Sequence, residues 1–472
     1  MTTLVALPLW LVVLGALFAA WALLDRLLVP SVRWVIRRRV GRVIDELNDR
    51  LQLQIPALHL TKREVLIDRL LFDGEVMKAV DERAAESGAP RQAVMAEVER
   101  YAREIVPSFN AYAYFRIGYY LARRCAEFLY RVRLGYADDK ALAAIPPNAS
   151  VVFVMNHRSN MDYVLVAYLA ASRSALSYAV GEWARIWPLQ GLIRSLGAYF
   201  VRRNSGSPLY RQVLARYVHM ATQGGVVQAV YPEGGLSKDG LLRAPKLGLI
   251  AYMVTAFDPK GERDLVFVPV GINYDRVLED RSLLKSLDRE APKRGATFAL
   301  STTFRFAFHN FALMARRRWY RFGYACVNFG APLSMREYLA RTGAAFGGDK
   351  DARFAAVETL GRELMDRIAA VVPVLPVSLV AAIFGEDPAR EIDALQLKSR
   401  AHELIAALEK KGAHVYIPRT DRDYAITVGL RMLTLRHLVL ERDGLFRINP
   451  GEEPVVRYYA NAIAHLLPPV AA

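Results

Sequence analysis

The sequence predicts an α/β protein: a largely parallel sheet flanked by helices, with an N-terminal membrane helix and helical N- and C-terminal regions. Three observations predict it. Short β-branched runs alternate with helix-length segments through the middle of the chain, the patterns on either side are helical, and no charged side chain occurs between Thr2 and Leu24.

About 20 apolar residues suffice to cross a bilayer core as a helix, so residues 1–29 read as a retained single-pass anchor. MTTLVALPLW lacks the basic start of a secretory signal, and WALLDRLLVP offers no small-residue cleavage site. Arg33, Arg37, Arg38, Arg39 and Arg42 follow at once, and the positive-inside bias puts the rest of the chain on the cytoplasmic face of the membrane. The two cysteines, Cys125 and Cys326, have no CxxC spacing, which argues against a disulfide framework or a structural zinc site and agrees with that location.

At 472 residues and 53% hydrophobic content the chain is no disordered polymer. Its net charge of +16 suits either nucleic acid or anionic lipid. The anchor favours a lipid membrane as partner, and no aromatic-basic reader motif supports nucleic acid. ARRRWYRF, residues 315–322, mixes arginines with aromatics in a way that suits a headgroup layer, although such a run is also often just a solvated face.

From residue 30 to about 136 the apolar residues recur at helical spacings, as in AYFRIGYYLARRCAEFLYRVRLGY. Pro146, Pro147 and Asn148 then mark a turn. Residues 137–333 read as an α/β domain, with strands in VVFVM, LSYAVG, GAYFVRR, VVQAVYPEGG and LVFVPVGINYD. Residues 334–472 return to helical patterns and read as a separate C-terminal helical domain. In parallel sheets ligands gather outside the carboxyl ends of the strands, and the polar clusters HRSNMD, RRNSG and PEGGLSK stand at those ends.

HRSNMD puts His157 and Asp162 at the start of a helix pattern. Capping by Ser159 or Asn160, with Asp162 in the first turn, would explain the aspartate but leaves His157 idle. A strand-to-helix turn brings the two side chains together, so that Asp162 accepts one imidazole N–H and the other nitrogen is free to take a proton. No GxSxG elbow supplies a serine nucleophile and no cysteine lies nearby, so the proton would come from a substrate hydroxyl. Arg202, Arg203, Lys238, Arg243 and Lys246 make a candidate phosphate rim, with Gly234 and Gly235 allowing close backbone approach. Glu233, in a tight turn beside two glycines, is a candidate to orient the acceptor or a basic neighbour.

These blocks resemble the glycerolipid acyltransferases, and within them the glycerol-3-phosphate and dihydroxyacetone-phosphate acyltransferases. HRSNMD looks like the HxxxxD block, which implies His157 as general base and Asp162 as its orienter. GAYFVRR is similar to the second block, YPEGGLSKDGLLRAPKLG to the third and FVPVGINYD to the fourth, which implies a role for Pro269 in the acyl-donor site. The segment VLPVSLVAAIF is similar to the region that follows the catalytic domain in the glycerol-3-phosphate enzymes. Where the third block carries arginine this chain has Leu236; either Lys238 and Arg243 supply that charge or the acceptor is held differently. The resemblance implies O-acyl transfer from an acyl-CoA or acyl carrier protein thioester to glycerol 3-phosphate, making lysophosphatidic acid with no metal and no bound organic cofactor. The alternatives are the same transfer to 1-acylglycerol 3-phosphate or dihydroxyacetone phosphate, or a non-catalytic membrane-binding scaffold.

Overall fold

The computed structural model describes residues 56–111, 113–170, 176–181, 189–202, 205–287, 321–347 and 349–467. The expected membrane helix at 1–29, the arginines after it, Arg203, and 315–320 of the basic-aromatic run lie outside them. Among the described residues no helix is long and apolar enough to cross a membrane.

The N-terminal helices are α1 (Arg63–Leu71), α2 (Gly74–Ser87) and α3 (Arg91–Ile105). Asp73 starts α2 by accepting the N–H groups of Glu75 and Val76, and Gly88 ends it in the left-handed region. The helix α4 (Tyr119–Leu129) then leads into strand β1 (Arg131–Ala137). This corrects the helical reading, which ran on to Tyr136. Tertiary pairing wins here over local periodicity. β1 lies parallel to a later strand, a Cβ at Gly135 would fall 2.5 Å from Asn328 Oδ1, and that oxygen accepts the Tyr136 N–H at 2.8 Å.

The other strands of the main sheet are β2 (Ser150–Met155), β3 (Ser177–Gly181), β4 (Tyr199–Val201), β5 (Gln228–Val230), β6 (Leu265–Tyr274), β7 (Tyr324–Phe329) and β8 (Leu333–Ser334). Their order is β1-β7-β6-β2-β5-β3-β4, with β8 beside the start of β6. The run β6-β2-β5-β3-β4 is parallel, whereas β7 is antiparallel to β6. Both faces of β2 are buried: Val151, Phe153 and Met155 enter one core, Val152 and Val154 the other. A strand covered on both sides needs apolar residues at every position, which is why VVFVM shows no alternation. Helices α5 (Met161–Ala170) and α6 (Pro208–Gln223) follow β2 and β4.

After β8 come α7 (Lys350–Val371), α8 (Pro376–Glu386), α9 (Ala394–Lys410), α10 (Arg422–Leu435) and α11 (Glu453–Asn461). They are interrupted by a three-stranded sheet of β9 (Ile392–Asp393), β10 (Val439–Arg442) and β11 (Leu445–Ile448). The β10–β11 hairpin corrects the purely helical expectation for this region. Asp443 and Gly444 turn it with φ of 53° and 79°, the two left-handed residues of a tight hairpin turn. Helix α8 is buried along nearly its whole length and meets the sheet through β6: Asn273 Nδ2 donates to the Pro373 carbonyl and Asp275 accepts the Val377 N–H.

Candidate active site

Main-chain pairing of β2 ends at Met155, and the Asn156 side chain prolongs it by donating to the Ile272 carbonyl and accepting the Ile272 N–H, at 2.9 and 2.8 Å. The turn that follows is therefore fixed to β6 before His157 leaves the strand. His157 and Asp162 are both solvent-excluded, with Nδ1 and Oδ2 2.8 Å apart. The same oxygen accepts the main-chain N–H groups of Arg158 and Ser159, and Oδ1 accepts the Tyr274 hydroxyl at 2.6 Å. A carboxylate held by so many donors has no proton to offer, so Nδ1 carries the hydrogen of that contact and neutral His157 keeps its lone pair on Nε2. Among the described residues Nε2 has no hydrogen-bond partner. The Tyr231 ring stacks on the imidazole at 4.0 Å and Tyr163 meets it edge-on at 5.4 Å, which fixes the ring plane.

The loop after β5 is tied to His157 through both of its main-chain polar groups. Glu233 Oε1 accepts the His157 N–H at 2.9 Å, and the Ser237 N–H donates to the His157 carbonyl at 2.9 Å. Glu233 Oε2 accepts the Arg243 N–H at 3.1 Å, and burial raises this carboxyl to about 7. Gly234 turns at φ 69°, and a Cβ there would fall 2.5 Å from Lys246 Cδ. From below, Glu279 accepts from the Ser159 hydroxyl and the Asn160 side chain, and burial raises this carboxyl too. The arrangement is a positioned base with one open nitrogen, held by hydrogen bonds from three strand ends.

Residues 139–273 match the family model named Acyltransferase, and residues 310–472 match the model of the glycerol-3-phosphate acyltransferase C-terminal region. In both segments the chain is similar to glycerol-3-phosphate acyltransferases. Among curated relatives, the glycerol-3-phosphate acyltransferase of Xylella fastidiosa strain M23 is 27% identical over 91% of this chain and 50% of its own. That of Pseudoalteromonas atlantica is 29% identical over 68% and 40%. That of Aeromonas hydrophila is 26% identical over 91% and 53%. The chain thus spans about half the length of the curated relatives it matches. A solved 1-acyl-sn-glycerophosphate acyltransferase from Thermotoga maritima is 16% identical, with a TM-score of 0.31 over 53% of this chain and 78% of that one, a likeness too loose to bear on the site.

Within this acyltransferase domain the expected residues divide. His157, Asp162, Glu233, Gly234 and Gly235 share the ends of β2 and β5. Lys246 covers Gly234 with its stem, Arg243 lies 3.8 Å from Asp239, and Lys238 Nζ donates to the Ser286 carbonyl at 3.3 Å. Leu236 packs against the core. Arg202 stands apart. It follows β4, three strand spacings or ~14 Å from β2, and its Nε and Nη2 grip Glu104 of α3 at 2.8 and 2.6 Å. Pro269 also stands apart, level with Val154 rather than with the strand end. Its carbonyl accepts the Gly330 N–H, so its ring nitrogen faces the gap between β7 and β8, where no ladder donor is needed.

Sequence reasoning missed Asn156, Arg158, Tyr231, Tyr274 and Glu279. Arg158, Tyr231 and Tyr274 stood inside the quoted blocks, and for the two tyrosines alternation with their strand neighbours could have aimed them at the site. Nothing local marks the others, whose partners lie far along the chain.

Proposed function

We propose that the protein is a membrane-bound glycerol-3-phosphate 1-O-acyltransferase, anchored through residues 1–29 with its catalytic part on the cytoplasmic face. The observation that carries this reading is the buried Asp162–His157 pair with its open Nε2 at the end of β2. Nε2 takes the proton of the sn-1 hydroxyl as that oxygen attacks the thioester carbonyl carbon. Asp162 stabilises the imidazolium. The tetrahedral intermediate then collapses, the C–S bond breaks, and the departing thiolate takes the proton back from His157. The products are 1-acylglycerol 3-phosphate and free CoA or acyl carrier protein. The match of residues 139–273 to the acyltransferase family model supports the reaction class, and the third-block cations Lys238, Arg243 and Lys246 support a phosphorylated acceptor. Arg202 is assigned to bracing α3 against β4, and Pro269 to the seam beside the core.

The test is transfer from labelled acyl-CoA and acyl carrier protein to a panel of acceptors. Acylation of glycerol 3-phosphate, with little for 1-acylglycerol 3-phosphate or dihydroxyacetone phosphate, is the expected result. Transfer only to the 1-acyl compound would replace the acceptor, and no transfer at all would favour a scaffold.

A further inference from the structure

Arg158, the residue after the base, sends its guanidinium into a solvent-excluded space between the third-block loop and α11. Nη1 donates to the Gly240 carbonyl at 2.5 Å, and the group lies 4.8 Å from the centre of the Tyr458 ring. Among the described residues Nε and Nη2 have no partner, and no carboxylate lies within ion-pair distance of Arg158. Buried donors are almost always matched, because an unmatched one forfeits its hydration for nothing. A residue needed only to brace Gly240 and Tyr458 would use the corner that is already occupied, and the opposite edge would be pure cost.

That edge has a definite chemistry. Nε–H and Nη2–H point in parallel and match two oxygens of one anion. Arg202 shows the same two nitrogens engaged in this protein, gripping both oxygens of Glu104. The unmatched His157 Nε2 belongs to the adjacent residue, so a proton acceptor and an anion fork arise ~3.8 Å apart on the backbone. A small molecule with a hydroxyl at one end and a phosphate at the other offers both groups they lack.

We propose that Arg158 is a phosphate-binding residue of this site, its Nε–Nη2 edge holding a phosphate group of the substrate while His157 takes the hydroxyl proton. The proposal rests on the acyl-transfer reading above. A phosphate could belong to the acceptor or to the nucleotide part of acyl-CoA; the placement beside the base assigns it to the acceptor.

The experiment is steady-state kinetics of the full chain with Arg158→Gln and Arg158→Lys. Lysine keeps the charge and most of the stem but lacks the parallel fork, so it decides the matter if the glutamine variant fails to fold. The acceptors are glycerol 3-phosphate and phosphate-free glycerol; the donors are acyl-CoA and acyl-pantetheine. The expected result is a rise of about ten- to a hundredfold in KM for glycerol 3-phosphate, with donor KM and the rate on glycerol unchanged. Equal losses with both acceptors would make Arg158 a brace and overturn the proposal. A rise in donor KM seen with acyl-CoA and not with acyl-pantetheine would move the fork to the donor and overturn it as well. Wild type that acylates no acceptor removes the underlying reading, whereas active wild type with an unchanged Arg158→Lys removes this inference alone.

Discussion

Glu233 has a task that its place between Pro232 and Gly234 does not disclose: it holds the main-chain N–H groups of His157 and Arg243 together. Burial lifts its carboxyl from the ordinary 4.5 to about 7, so the folded chain binds a proton there more readily than the unfolded chain. Stability from that proton is complete below about pH 4.5 and is lost as pH rises through about 7. Glutamine cannot ionise. The thermal midpoint of wild type should therefore fall relative to Glu233→Gln between about pH 5 and 7.5, then run parallel to it; a difference that does not change with pH would contradict this. At this scale the base and its orienter were legible because they stand in one short turn. Tyr274, which donates to Asp162 from 112 positions away, was not. The rim was legible as charge but not as geometry, since nothing in GAYFVRR shows that Glu104 already holds Arg202.

At the scale of elements, the loop after β5 is pinned on one side by His157 and on the other by α11. Gly240 turns at φ 91°, and a Cβ there would overlap the Tyr458 carbonyl, which is main chain and cannot swing aside. Asn461 Nδ2 also donates to the Asp239 carbonyl. Gly240→Ala should cost at least about 1–3 kcal/mol from the backbone conformation alone. Denaturant unfolding measures it, and a midpoint equal to wild type would mean that the loop and helix are not in contact. The parallel strands were legible because both of their faces are buried, leaving unbroken apolar runs between turn signals. β1 was not: it is an edge strand whose exposed Arg131, Arg133 and Leu134 extend the helical spacing of α4, and only β7 makes it a strand. The β10–β11 hairpin carried its signal openly in Asp443-Gly444, within a window otherwise rich in helix formers.

For the whole molecule, one core runs from Ala126 in α4 through the sheet to Ile463, so the C-terminal helices complete the fold around the site. A buried cluster reinforces the junction. Arg436 Nη2 lies 2.5 Å from Asp280, and the Tyr459 hydroxyl donates to the same carboxylate oxygen at 2.6 Å. Removing the cation leaves Asp280 buried with the Tyr459 hydroxyl and the Arg281 N–H but no counter-charge on Oδ2. Arg436→Met should therefore destabilise the protein by about 3 kcal/mol, the lower end for breaking a buried pair. A loss below about 1 kcal/mol in urea unfolding would show that the cluster is wet. The arrangement of this junction was not legible in the sequence, because its partners are 156 and 179 positions apart.

The most direct test of the central claim is the turnover of His157→Ala on saturating acyl-CoA and glycerol 3-phosphate, with folding checked by thermal unfolding and acceptor affinity by equilibrium binding. Loss of the general base should lower kcat by about 10²- to 10⁴-fold while the fold and the affinity are kept, and Asp162→Asn should follow it because the imidazole loses its orientation. A folded His157→Ala that turns over at the wild-type rate would contradict the account.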